Sequence, residues 1–130
     1  MMPYKVLVVD DELDFLETIV KRLERRRITV TGVASGEEAL KQLETFPVDV
    51  VILDVKMPGM DGLETLRRIK RRWPFVEVIL LTGHGSVESG IQGMELGAYD
   101  YVMKPAKLGD LIAKVEQAYE RKRLREKQSQ

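Results

Sequence analysis

A short aliphatic run gives way to a stretch with helical spacing five times along the chain, and this alternation limits the possible folds more than any other feature. The runs lie near residues 4–9, 28–33, 48–53, 76–81 and 99–103. Val6-Leu7-Val8-Val9 and Val50-Val51-Ile52-Leu53 have no polar face, which is the pattern of strands buried between two layers. Between them, apolar residues recur three and four apart. Leu16, Ile19, Val20 and Leu23 form the first helical stripe, Ala39, Leu40 and Leu43 the second, and Leu63, Leu66 and Ile69 the third. Val87, Ile91 and Met94 mark the fourth, and Leu108, Leu111, Ile112, Val115 and Tyr119 a last helix over about 107–124. Ser35-Gly36-Glu37-Glu38 reads as a capping box, Asp61 and Ser86 as N-caps, Trp73-Pro74 as a stop and Gly97 as a C-terminal cap. Gly90 and Gly93 each cost a helix up to about 1 kcal/mol against Ala, so the fourth helix is expected to be easily remodelled.

Strands alternating with helices imply a parallel sheet covered by helices on both faces, with right-handed crossovers. At 130 residues the chain is one domain. We divide it into a globular unit over 1–120 and a helix end, linker or tail over 121–130, where Arg121-Lys122-Arg123-Leu124-Arg125 reads as a solvated, fraying helix end. Such sheets bind ligands beyond the carboxyl ends of the strands, where the strand order reverses. A flavodoxin-like, doubly wound five-stranded parallel sheet of order 2-1-3-4-5 with five helices puts that point between strands one and three. Those strands end in Asp10-Asp11 and Asp54, so this order explains where the acids are.

Lys plus Arg and Asp plus Glu are both 21, which argues against a uniformly basic nucleic-acid binder. Without Cys there are no disulfides, no thiol catalysis and no thiolate metal site. The N-terminus runs straight into a strand without a signal peptide, and no stretch approaches the roughly 18 apolar residues of a membrane helix. A cytoplasmic location is expected.

Three carboxylates and the Lys104 ammonium at neighbouring strand ends need a chemical reason. Crowded acids raise one another's pKa unless a cation intervenes. Oxygen donors favour Mg²⁺ or Ca²⁺, and a site with few carboxylates and a lysine suits Mg²⁺ shared with a phosphoryl group. Asp54 is placed to act as a nucleophile that becomes an aspartyl phosphate. Thr82, at the end of the fourth strand, has a hydroxyl to give to that group.

These residues resemble the receiver domain of bacterial two-component response regulators over about 4–120. The resemblance rests on VLVVDDE at 6–12, VVILDVKMPGMDG at 50–62, LLTGHG at 80–85 and GAYDYVMKP at 97–105. It implies the 2-1-3-4-5 fold. It implies Asp54 as phosphoacceptor, Asp11, Asp54 and the Lys56 backbone carbonyl as Mg²⁺ ligands, and Asp10 acting through metal-bound water. Lys104 would pair with the acceptor and then with the phosphoryl group, and the Lys104–Pro105 bond would be cis. Thr82 and Tyr101 would form the switch pair. Lys56 and His84, two residues after Asp54 and Thr82, would tune hydrolysis of the phosphoryl group. The implied partners are a sensor histidine kinase as phosphohistidine donor and an output domain or partner, with homodimerisation on phosphorylation. Residues 82–105 look most like receivers of NtrC-type transcriptional activators. The implied protein is a switch that assists its own phosphorylation and dephosphorylation, and is not a metabolic enzyme.

Other readings compete. Asp10, Asp11 and Asp61 can simply cap helices, and Asp61 is retained as a cap. A phosphatase of the haloacid dehalogenase type also uses a strand-end Asp and Mg²⁺, but it needs an acid where Lys56 stands. A flavodoxin needs a hydroxyl- and Gly-rich phosphate loop where Asp10-Asp11-Glu12 stand. A receiver-like binding module working without phosphate has no use for the complete acid set.

Overall fold

The structure, a computed structural model, describes residues 2–83 and 87–129. Its elements are β1 (Lys5–Val9), α1 (Leu13–Arg25), β2 (Thr29–Val33), α2 (Gly36–Thr45), β3 (Val50–Asp54), α3 (Gly62–Arg72), β4 (Glu77–Thr82), α4 (Val87–Glu95), β5 (Asp100–Met103) and α5 (Leu108–Gln128). All strand pairs are parallel and the order is β2-β1-β3-β4-β5, as the strand-end acids suggested.

Alternate residues of each central strand enter opposite layers. Val6, Val8, Ile52, Ile79 and Leu81 pack with Ile19 and Leu23 of α1 and Leu111, Ile112 and Val115 of α5. Leu7, Val9, Val51, Leu53 and Leu80 pack with Ala39 and Leu43 of α2 and Leu66 and Ile69 of α3. Burial on both faces is why these strands show no alternation in sequence.

The local signals mostly act as read. The Ser35 hydroxyl accepts from the Glu38 amide at 3.1 Å. The return bond of the capping box lands one residue early, on the Ala34 amide, at 2.8 Å. Asp61 caps α3 through the Glu64 amide at 2.9 Å. Gly97 has φ +102°, and the Ala98 amide donates back to Gly93 at 2.9 Å, closing α4. The expected Ser86 cap lies outside the described residues.

The basic run departs from expectation. Helix α5 continues to Gln128, and two of its cations, Arg121 and Arg125, share a buried partner. Glu77, fully buried at the start of β4, lies 3.3 Å from Arg121 and 3.4 Å from Arg125, with Lys70 of α3 at 3.5 Å. Lys122 meets Asp49 at 3.0 Å. Arg121 and Arg125 are four apart, so one helix face delivers both guanidiniums to one carboxylate. Among the described residues, no helix is long and apolar enough to cross a membrane.

Candidate functional site

Pairing of Val9 with Leu53 places the ends of β1 and β3 side by side, and with them Asp10, Asp11 and Asp54. These three each offer a carboxylate oxygen within 4.8 Å of the others. Asp10 is fully buried. Its Oδ1 accepts from the Glu12 amide at 2.9 Å and its Oδ2 from the Lys104 ammonium at 2.9 Å. Lys104 arrives from β5, where its amide donates to the Thr82 carbonyl at 2.7 Å. Its Nζ is also 3.4 Å from Asp54 Oδ1. The Lys104–Pro105 bond is cis, as expected.

The backbone under Asp54 is tightly constrained. The Gly62 amide, at the start of α3, donates to the Val55 carbonyl at 2.8 Å. A Cβ at Gly62 would meet Val55 Cα at 2.6 Å and would collide with the Asp54 carbonyl oxygen. Only glycine permits this approach, which seats α3 directly behind the acceptor loop.

The electrostatics follow from the crowding. Burial, and then the charge of Asp10, push the Asp54 carboxyl up to about 6, against the pull of Lys104. Burial alone would lower the pKa of Lys104. The hydrogen bond and charge of Asp10, with the charges of Asp54 and Glu12, outweigh it and leave the ammonium more firmly protonated than usual.

Thr82 is fully buried at the end of β4, and its Oγ1 has no hydrogen-bond partner among the described residues. A buried hydroxyl left unpaired is costly unless a ligand completes it. Tyr101 on β5 is half-buried against the second core layer. Lys56 is exposed, and Asp61 serves α3 as a cap outside the carboxylate cluster. His84 lies outside the described residues.

Two neighbours of Lys104 carried no signal in the sequence reading. Glu12 Oε1 is 3.5 Å from the ammonium, and the Phe15 ring centroid is 4.5 Å away. Both come from the β1–α1 junction, far from Lys104 in sequence, and only the sheet order brings them to it.

The donor set fits a hard divalent cation: three carboxylates, one of them reluctant to ionise without a positive partner. A parallel α/β sheet with an acidic pocket and a lysine at its switch point is the signature of a receiver-type domain. The family described as the response regulator receiver domain matches residues 6–116, and the chain belongs to it. Its relatives are regulators of the NtrC, DctD and NtrX kind. It is 38% identical over 119 residues to the C4-dicarboxylate transport transcriptional regulatory protein DctD of Rhizobium meliloti, covering 92% of this chain and 26% of that one. It is 36% identical over 113 residues to the DNA-binding transcriptional regulator NtrC of Escherichia coli, covering 87% and 24%. The chain thus spans about a quarter of the length of these relatives. Among solved structures, a response regulator receiver domain protein from Clostridium thermocellum superposes with a TM-score of 0.88 at 40% identity, covering 93% of this chain and 98% of that one. The receiver domain of NtrX from Brucella abortus superposes with a TM-score of 0.85 at 32% identity, covering 88% and 98%.

Proposed function

We propose that the chain is a phosphorylation-dependent signalling switch whose acceptor is Asp54. The observation that carries this reading is the Thr82 hydroxyl, buried beside the acid–lysine cluster and without a hydrogen-bond partner among the described residues. A metal site alone has no need of it, whereas a phosphoryl group on Asp54 gives it an acceptor oxygen.

The donor is a phosphohistidine on a partner kinase. An Asp54 carboxylate oxygen attacks phosphorus, the O–P bond forms, the P–N bond breaks, and the imidazole leaves with the electron pair. Asp11, Asp54 and the Lys56 carbonyl, with Asp10 through water, would hold Mg²⁺, which would supply positive charge against the phosphoryl oxygens. Lys104 pairs with a second phosphoryl oxygen from its seat on Asp10. Thr82 donates its hydroxyl to a third, and Tyr101 follows by turning inward. This biases a two-state equilibrium at the surface of α4, β5 and α5. That surface has the apolar content a partner or second copy would cover: Val87 is 50%, Ile91 53%, Met94 43% and Met103 36% exposed.

The output is control of transcription through a further domain or partner, since the relatives DctD and NtrC are named as transcriptional regulators. Lys56 offers no carboxylate or amide to orient water, so self-dephosphorylation takes minutes or longer, with His84 as the second tuning position. The phosphatase reading is disfavoured because exposed Lys56 stands where its general acid would be. Acetyl phosphate with Mg²⁺ should yield a hydroxylamine-sensitive acyl phosphate that decays over minutes. Multiple turnover of a phosphomonoester would favour the phosphatase instead.

A further inference from the structure

Helix α4 packs so closely on the sheet that a Cβ at either of its two inward glycines would have to displace a side chain. A Cβ at Gly90 would stand 2.8 Å from Cγ, 2.8 Å from Cδ2 and 2.9 Å from Cε2 of the Tyr101 ring. Carbon atoms in contact normally sit about 3.5–4.0 Å apart. One turn on, a Cβ at Gly93 would fall on Cδ1 of Leu80. Both glycines are buried, so the helix rests on the sheet through its two bare Cα positions.

The two contacts differ in what can give way. Leu80 is fully buried on β4, an interior strand, so its Cδ1 can shift only within the core. Tyr101 is half-buried on β5, the edge strand, and its ring can swing toward solvent or inward. The ring side formed by Cγ, Cδ2 and Cε2 covers Gly90, so the place of the ring and the height of α4 are one variable.

We propose that Gly90 is the positioning residue that couples the Tyr101 ring to helix α4. If the ring leaves, α4 loses the surface it rests on. If α4 shifts toward the sheet edge, the ring must move. Flexible glycines would only make α4 loose; this contact makes its position depend on a named side chain. The role in signalling rests on the reading of Thr82 and Tyr101 as a switch pair, whereas the steric coupling stands apart from it.

Thermal melts of Gly90→Ala, Tyr101→Ala and the double variant test the coupling, with Gly93→Ala as reference. With Tyr101 present, Gly90→Ala should lower Tm by several degrees despite the better helix propensity of Ala. In the Tyr101→Ala background the same change should leave Tm unchanged or raise it, while Gly93→Ala lowers it equally in both. Equal loss from Gly90→Ala in both backgrounds would overturn the proposal. If Gly90→Ala with Tyr101 does not fold, folding of the double variant supports the coupling and its failure refutes it. Beryllofluoride titration with Mg²⁺ then reads the switch: Gly90→Ala should move the midpoint several-fold with Tyr101 and not without it. An unmoved midpoint removes Gly90 from the switch. A wild type that ignores beryllofluoride instead sinks the phosphoacceptor reading, and leaves the melting cycle to decide the coupling.

Discussion

The Lys104 ammonium sits 2.9 Å from Oδ2 of Asp10, closer than its 3.4 Å to Asp54. Asp10 is fully buried and Lys104 largely so, and the pair fixes the lysine over the pocket while Asp54 keeps an oxygen for incoming chemistry. Removing one partner of such a pair leaves an uncompensated buried charge.

Lys104→Met is therefore expected to lower metal-free stability by about 3 kcal/mol, measured by urea melts with chelator. Millimolar Mg²⁺ should raise the wild-type Tm through linkage, and raise that of Lys104→Met by more, since the acids then have no other cation. No Mg²⁺ effect on either protein would contradict the site.

The raised pKa of Asp54 sets a pH dependence. Between its ordinary value of 3.8 and about 6, the folded state holds a proton that the unfolded chain has lost. Stability from this group is thus fully present below 3.8 and is lost as pH rises through that window, the loss being complete just above 6. The rise from 3.8 to about 6 corresponds to about 3 kcal/mol, and water access to the pocket reduces that to about 1–2 kcal/mol. Asp54→Asn should be more stable than wild type by that margin at pH 7.5 in chelator, and the gap should close toward pH 4. Equal stability across the range would show that the crowding is fully relieved by Lys104.

Gly62→Ala should destabilise the fold by about 1–3 kcal/mol, because its Cβ meets the backbone of Asp54 and Val55, which cannot rotate away. Calorimetry checks the stability. Weaker Mg²⁺ binding by the folded variant would show that α3 positions the acceptor loop.

Glu77→Ala removes the shared partner of Lys70, Arg121 and Arg125. We expect a loss of about 2–3 kcal/mol, below the full cost of breaking a buried pair because the guanidiniums can reach water. Hydrogen exchange over 119–128 should quicken while that of α3 changes little. Unchanged exchange there would mean that the end of α5 stands without Glu77.

The latch at Glu77 also marks where the sequence stops being readable. The strands were legible because Val, Ile and Leu fill both faces of β1, β3 and β4; the strand order could not be read from the residues alone, though 2-1-3-4-5 explained where Asp10, Asp11 and Asp54 fall and the family resemblance implied it. The end of α5 was not legible: Arg121 to Arg125 look solvated until β4 brings Glu77 beneath them, and that pairing spans the domain. The neighbours of Lys104 were hidden for the same reason, since Glu12 and Phe15 reach it only through the fold. Gly90 was visible as a weak point in a helix, but the ring that makes it necessary was not.

The central claim is tested most directly by intact and peptide mass spectrometry after acetyl phosphate and Mg²⁺. Wild type should gain one phosphoryl group, on the peptide carrying Asp54, and Asp54→Asn should gain none. A phosphoryl group on the Asn variant, or none on a folded wild type, would contradict it.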